Sequence, residues 1–148
     1  MLSIDANLLL YAFNSDSPWF AESRSWLTAI QADEDVATSE LILAEFYGLL
    51  RNRAVLAHPL SAEEAVELVQ TFRRHLCWRL IGFPDEGRAL HDTLRQKARA
   101  KDFTFRKLYD TRSALTMIAQ GVTEFASVNL EDFQGLGFRK VWNPLSNA

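Results

Sequence analysis

Three acidic residues stand in sequence contexts that could support catalysis. Asp5 follows a short apolar run, Glu45 interrupts a strongly apolar segment, and Asp110 precedes an Ala- and Leu-containing segment. Carboxylates gathered at one point repel each other unless a hard divalent cation neutralises them, and oxygen ligands suit Mg²⁺ or Mn²⁺. Such an ion can activate a water for attack on phosphorus. If the three acids converge, metal-assisted phosphodiester hydrolysis is the predicted chemistry.

Each of these acids also has a local structural interpretation. Asp5 could cap the helix that follows it, and Asp110 could be a first-turn acid favoured by the helix dipole. Glu45 could pair with Arg51 or lie on a narrow exposed stripe with Gly48. Without such a partner, a carboxylate inside this apolar segment would be costly to bury or would become neutral.

The spacing of apolar residues predicts strands that alternate with helices. Strands are expected at 2–5, 36–38, 77–81, 125–128 and 140–142. Helices are expected at 6–13, 18–32, 41–50, 61–75, 85–100 and 107–120, with a loop at 51–59. Alternation of this kind is typical of βαβ units, so we expect an α/β fold with a central parallel sheet between helices.

Cap-forming residues mark the ends of the predicted helices. Pro18 fits the first helical position, Ser39 or Thr38 can cap the next helix, and Ser61 opens a capping-box pattern. Gly121 fits the C-cap of the last long helix.

Ligands of an open parallel sheet bind beyond the carboxyl ends of the strands, where the strand order reverses. Asp5 ends the first predicted strand. Ser127, Asn129 and Asp132 follow the fourth, where they could complete a site or serve as ordinary turn and capping residues.

Composition indicates one globular domain over residues 1–148, of which 48% are hydrophobic. Cys77 is the only cysteine, which excludes an internal disulfide and fits a reducing cytoplasm. The longest apolar stretch, 41–50, falls far short of the ~20 residues of a membrane span. The first residues lack a basic region, so we expect no secretory signal and a cytoplasmic protein.

Basic residues concentrate in one part of the chain. The net charge is −3, yet residues 88–112 hold eight Lys and Arg against three Asp, so the remainder carries about −8. A solvated helix face explains such a run, and so does contact with nucleic-acid phosphates.

Taken together, these motifs resemble the PIN-domain ribonucleases, and among them the VapC-type toxins of bacterial toxin–antitoxin pairs. The similarity is carried by the residues 2–11, 43–46 with 51–52, 110–112, 127–133, 135–138 and 142–145, which read LSIDANLLLY, LAEF with RN, DTR, SVNLEDF, GLGF and WNPL. The resemblance implies a three-layer α/β/α sandwich and a metal-dependent endoribonuclease that uses Mg²⁺, with Mn²⁺ as a substitute.

By this resemblance, Asp5, Glu45 and Asp110 correspond to the acidic metal ligands. Many PIN domains carry a fourth acid where this chain has Asn129, so either Asn129 or Asp132 could complete the site. The hydroxyl of Ser127 would orient a ligand.

In the same way, Asn7 could orient Asp5. Arg112 and Lys107 are the candidates for contacts with RNA phosphates, which hold an RNA with little regard to its sequence. Bases could stack on aromatic residues that are otherwise core or dimer-interface residues, namely Trp19, Tyr11 and Phe103.

The resemblance further implies a homodimer and a cognate antitoxin whose segment occupies the groove. Two other functions are retained as hypotheses. One is hydrolysis of DNA or another phosphoester, although a haloacid-dehalogenase-like phosphatase would need an acid where Asn7 stands. The other is a non-catalytic module that binds RNA or protein.

Overall fold

The centre of the protein is a five-stranded parallel sheet, seen in a computed structural model that describes residues 1–145. The last three residues of the predicted domain lie outside the described part. The strands are β1 (Leu2–Ile4), β2 (Val36–Ser39), β3 (Arg79–Ile81), β4 (Glu124–Ala126) and β5 (Lys140–Trp142). Their order in the sheet is β3-β2-β1-β4-β5, and every neighbouring pair is parallel.

Helices flank this sheet and confirm the predicted α/β/α architecture. They are α1 (Ala6–Tyr11), α2 (Phe20–Ile30), α3 (Glu40–Leu50), α4 (Ala62–Arg73), α5 (Gly87–Lys97), α6 (Phe105–Ile118) and α7 (Leu130–Phe133). Contacts join α1 to α2 and α3, and α3 to α4, while α6 contacts α5 and α7. Among the helices of residues 1–145, none combines the length and apolar character needed to cross a bilayer.

The core is built around the central strands, which are mostly buried. Each residue of β2 is buried, as expected for a strand covered on both faces. Phe46 of α3 and Phe125 of β4 are both 0% exposed. Phe46 packs edge-on against Phe72 of α4 at 5.7 Å between ring centroids. Removal of a buried ring of this kind costs about 3–5 kcal/mol.

Side-chain caps set several helix starts. The Ser39 hydroxyl accepts a hydrogen bond from the Ile42 N–H, so Ser39 is the cap of α3 rather than Thr38. Ser61 and Glu64 form the predicted capping box of α4. These caps fix the start of α3, directly after β2, and the start of α4, after the loop that follows α3.

Other boundaries differ from the prediction. Helix α2 begins at Phe20 because residues 18–19 remain in a turn, and Pro18 is therefore not its first residue. The C-cap of α6 is Ala119, whereas Gly121 lies two residues later with φ +94°, a conformation that glycine adopts easily. A short helix that the sequence did not predict, α7, follows β4.

The strand order places a reversal point between β1 and β4. The chain builds the sheet from β1 through β2 to β3, and then returns to the other side of β1 to add β4 and β5. The backbone separates in opposite directions beyond these two central strands, which leaves a crevice at their carboxyl ends. Asp5 follows β1 and Ser127 follows β4, so both residues lie at this crevice.

Candidate active site

Asp5 and Ser127 meet at the crevice between β1 and β4. The Ser127 Oγ donates a hydrogen bond of 2.6 Å to Oδ2 of Asp5. Asp5 is 2% exposed and Ser127 is fully buried. Asp5 occupies the N-cap position of α1, as the capping interpretation expects, but it forms no side-chain capping hydrogen bond of standard geometry. Its strongest polar contact therefore belongs to the site rather than to the helix end.

Burial dominates the electrostatics of Asp5. Loss of water raises the pKa of this carboxyl above its ordinary value, and hydrogen bonds from Ser127 and Asn7 only partly counteract the effect. The half-buried Asn7 is thus a hydrogen-bonding neighbour of Asp5. A carboxylate held in this setting gains most from a nearby cation.

Glu45 belongs to the same electrostatic neighbourhood. Desolvation, with the charges of Asp5 and Asp110, raises the pKa of Glu45 to about 7. Glu45 is exposed together with Ala44 and Gly48 on one stripe of α3, as the exposed-stripe interpretation expects, so the apolar residues around it in the sequence do not enclose it. The exposed stripe and the acid site are therefore the same surface, and Glu45 lies at its solvent side.

Asp110 reaches the site from the middle of α6. This helix begins at Phe105, where the hydroxyl of Thr104 caps it, and its first turn contains no acid. The interpretation of Asp110 as a first-turn residue is therefore wrong. Desolvation raises the pKa of Asp110 to about 6, with further contributions from the charges of Asp132 and then Asp5.

The four acids have no cationic partner among residues 1–145. None of the ion pairs in this part of the chain involves Asp5, Glu45, Asp110 or Asp132. The guanidinium of Arg51 instead donates a hydrogen bond to the carbonyl oxygen of Leu60, which excludes the predicted alternative pairing with Glu45. A bound cation would reduce the mutual repulsion of these carboxylates, since no described side chain does so.

The donor chemistry fits a hard divalent cation, although the side chains do not form a finished site. No three His, Cys, Asp or Glu side chains within residues 1–145 are arranged as a ready metal centre. The acids that affect one another's pKa are oxygen donors only, the type that Mg²⁺ and Mn²⁺ prefer. Mg²⁺ often retains several waters and needs only one or two direct carboxylates.

Of the two candidates for the fourth position, Asp132 is the better placed electrostatically. Among neighbouring charges, Asp132 has a larger effect on the pKa of Asp110 than Asp5 has. Asn129 has a structural task, because its backbone N–H donates to the Ser127 Oγ and its carbonyl accepts from the Asp132 N–H. Asn129 thereby connects Ser127 to the start of α7.

The predicted RNA-contacting residues lie on the helix that carries Asp110. Arg112 is partly buried, its Nε has no hydrogen-bond partner, and its guanidinium lies 5.6 Å from the ring centroid of Tyr109. Lys107 is partly exposed in the first turn of α6, about one helical turn before Asp110. Neither side chain forms an ion pair within the described chain.

Among the predicted stacking residues, Tyr11 interacts electrostatically with Asp5. The charge of Asp5 contributes to a raised pKa of the Tyr11 phenol, after desolvation. Its ring packs against Trp19 at 4.9 Å between centroids, so both rings are partly used in internal packing. Sequence analysis did not single out Phe105 and Tyr109, which are 76% and 57% exposed on α6. Their spacing of four residues within a basic segment was the available signal.

Comparison with known proteins agrees with this arrangement. A family model described as PIN domain matches residues 2–134. Ribonuclease VapC24 of Mycobacterium tuberculosis is 41% identical over 147 residues, which cover 99% of each chain. The crystal structure of VapC20 of the same species, described as a sarcin-ricin loop cleaving toxin, aligns with a TM-score of 0.61 at 18% identity over 84% of this chain and 87% of that chain. VapBC2 of Rickettsia felis, bound to a promoter DNA fragment, aligns with a TM-score of 0.63 at 18% identity over 96% of this chain and 97% of that one.

Proposed function

The chain belongs to the PIN-domain family, and on that premise we propose that it is a metal-dependent endoribonuclease and the toxin of a type II toxin–antitoxin pair. Its 41% identity to a ribonuclease over almost the whole length of both chains supports RNA as the substrate. The reaction is hydrolysis of a phosphodiester bond by an activated water. We further propose that residues 1–148 act as one domain.

One observation carries the proposal. Asp5, Glu45 and Asp110 come from three different elements and form no ion pair within the described residues. The charge of Asp5 raises the pKa of both Glu45 and Asp110, and the charge of Asp110 raises that of Glu45. Acids used only for capping or for surface ion pairs would not be coupled across the fold in this way. A shared cation accounts for all three at once.

These three residues, with Asp132, would hold the ion, which is Mg²⁺ or, as a substitute, Mn²⁺. When bound, it supplies positive charge that favours deprotonation of water and stabilises negative charge on phosphate oxygens. Glu45 is exposed, whereas Asp5 is buried. Glu45 would therefore lie on the side of the site from which a phosphate approaches.

The surrounding residues position the acids and the substrate. Ser127 fixes Oδ2 of Asp5, and Asn7 adds weaker hydrogen bonding to the same carboxyl. Arg112 and Lys107, on the helix of Asp110, would bind RNA phosphates on either side of the cleaved bond. Contacts of this kind make affinity dependent on salt and largely independent of sequence.

We propose a cytoplasmic homodimer that a cognate antitoxin inhibits. The solved VapBC2 assembly is a structural neighbour of this chain, which supports an antitoxin partner. An antitoxin side chain that carries a positive charge would satisfy the same four carboxylates and compete with the metal ion. Sedimentation of the chain alone and with its partner would measure both associations.

A cleavage assay tests the proposed activity. Structured RNA is incubated with the protein and Mg²⁺, Mn²⁺ or excess EDTA, and DNA of the same sequence serves as the comparison. Hydrolysis of RNA that EDTA abolishes is the expected result. Cleavage in EDTA would overturn the metal mechanism, preferential cleavage of DNA would favour the other hydrolase, and RNA binding without cleavage would favour a non-catalytic module.

A further inference from the structure

An aromatic and basic surface lies on the helix that carries Asp110. Phe105 is 76% exposed and Tyr109 is 57% exposed, which is unusual for side chains of this size. They are four residues apart on α6, so they project from the same side of the helix, one turn from each other. Tyr109 directly precedes Asp110 in the chain, so the aromatic surface and this acid lie on adjacent sides of the same helix.

Each of these rings is accompanied by an arginine. The guanidinium of Arg106 lies 5.7 Å from the centroid of the Phe105 ring, and that of Arg112 lies 5.6 Å from the Tyr109 ring. No acidic side chain forms an ion pair with either arginine in the described part of the chain. Neither guanidinium is neutralised by a described acid, and of the two Arg106 is exposed whereas Arg112 is partly buried.

The charge of this surface favours nucleic acid over a protein partner. It falls within residues 88–112, which hold eight basic and three acidic residues in a chain whose net charge is −3. A patch meant only for a second copy would bring these like charges together, which is unfavourable unless they are compensated. Exposed rings flanked by arginines are the combination that binds unpaired bases and their phosphates.

We propose that Phe105 and Tyr109 stack on unpaired bases of the RNA, while Arg106 and Arg112 bind the adjoining phosphates, so that the protein selects single-stranded segments such as loops. This inference rests on the proposed ribonuclease function. It assigns the choice of substrate to the exposed side of α6, whereas the acids perform the hydrolysis. Bases in a continuous duplex are already stacked on each other and cannot use these rings.

The first test compares kinetics of ring-removal variants. Phe105→Ala and Tyr109→Ala are assayed on a hairpin RNA with an unpaired loop, and Tyr109→Phe keeps the ring without the hydroxyl. Loss of one stacked base should raise KM roughly 5- to 100-fold, with kcat changed little, whereas Tyr109→Phe should resemble the wild type. Leu76→Ala is the matched control, because Leu76 is 99% exposed in the turn between α4 and β3. Unchanged KM in both alanine variants would overturn the proposal.

The second test detects stacking without cleavage. The loop carries the fluorescent base 2-aminopurine, and the protein carries Asp110→Asn so that the RNA stays intact in Mg²⁺. Stacking on the rings should quench the fluorescence, and the further substitution Phe105→Ala or Tyr109→Ala should restore it. Quenching that both variants retain would contradict the proposal.

The two tests separate this proposal from the proposed function. Ring-dependent quenching by the Asp110→Asn protein, together with a wild type that cuts no RNA in Mg²⁺, would support the stacking surface and reject the nuclease. Cleavage with unchanged KM in the variants would support the nuclease and reject the surface. If sedimentation shows that Phe105→Ala dissociates a dimer while KM is unchanged, the surface is an interface between copies and the RNA proposal is wrong.

Discussion

The hydroxyl of Ser127 donates a 2.6 Å hydrogen bond to Oδ2 of Asp5 across a separation of 122 residues. This bond links the carboxyl ends of β1 and β4, the two strands between which the strand order reverses. The bond is buried, so water cannot replace it when it is lost. Ser127 also accepts the backbone N–H of Asn129, and thereby connects Asp5 to the loop before α7.

Ser127→Ala should therefore weaken metal binding and activity. The substitution removes a hydrogen bond that lowers the pKa of Asp5, so this carboxyl would hold its proton more strongly. We expect a loss of about 10- to 100-fold in metal affinity or rate, the usual effect of removing a side chain that orients a ligand. Titration of activity against Mg²⁺ measures it.

Ser23→Ala is a suitable control for that experiment. Ser23 is equally buried and donates a 2.7 Å hydrogen bond, but to the carbonyl oxygen of Leu8. Its replacement should lower stability without a selective change in the Mg²⁺ requirement. An equal change in both variants would show that Ser127 acts only through stability.

Asp110→Asn should abolish cleavage and raise the melting temperature of the metal-free protein at neutral pH. The amide removes a negative charge that is repelled by Asp132 and Asp5, which favours the folded state. It also removes one of the proposed metal ligands, which lowers activity. Activity should fall by more than the roughly 10- to 100-fold typical of residues that only support ligands. Asp102→Asn, at an exposed position before α6, should change neither property. A lower melting temperature in the Asp110 variant would indicate a structural role.

Glu45→Gln should reduce activity without unfolding the protein. Glu45 is exposed, so its replacement removes little packing, yet its charge is coupled to Asp5 and Asp110. We expect a loss of at least about 10-fold in rate, measured at saturating Mg²⁺. Glu40→Gln on the same helix breaks only the ion pair with Arg73, which is worth about 0–1 kcal/mol, and should leave the rate unchanged. Full activity of the Glu45 variant would remove it from the ligand set.

The stability of the metal-free protein should fall as pH rises from about 4 to about 7. The pKa values of Asp110 and Glu45 are raised to about 6 and about 7, so the folded protein binds more protons than the unfolded chain in this range. The free energy of unfolding therefore decreases with pH in this range, and above it these groups cause no further change, although the loss of stability remains.

Urea unfolding in EDTA at several pH values measures this effect. Other groups act in the opposite direction, among them Glu64, whose pKa is lowered by the capping box. The wild type is therefore compared with the double variant Asp110→Asn, Glu45→Gln, and the difference between them isolates the site. A difference that is constant with pH would contradict the coupling of these carboxyls.

Much of the fold was predictable, because local patterns determine most of it. Ser61 and Glu64 carry a capping box in the sequence itself, and all five strands have an apolar segment at the predicted place. Asp5 was predictable for the same reason, since it directly follows β1.

The errors arose where a local cap was missed or where tertiary contacts decide the outcome. The cap at Thr104 extends α6 by two residues before the predicted start and moves Asp110 away from the helix end. The exposure of Glu45 depends on which side of α3 remains uncovered by α1 and α4, and an almost uniformly apolar helix does not encode that. The coupling of Asp132 to Asp110 likewise depends on α7, which is too short to show a period.

The parallel pairing of β1 with β4 has a consequence for the synthesis of the protein. A ribosome must produce almost the whole chain before Ser3 can pair with Phe125 and bring Ser127 to Asp5. A truncated translation product that ends before β4 contains all three principal acids but no assembled crevice. On the proposed function, interrupted messages therefore yield harmless fragments, and the cell meets active nuclease only as finished chains.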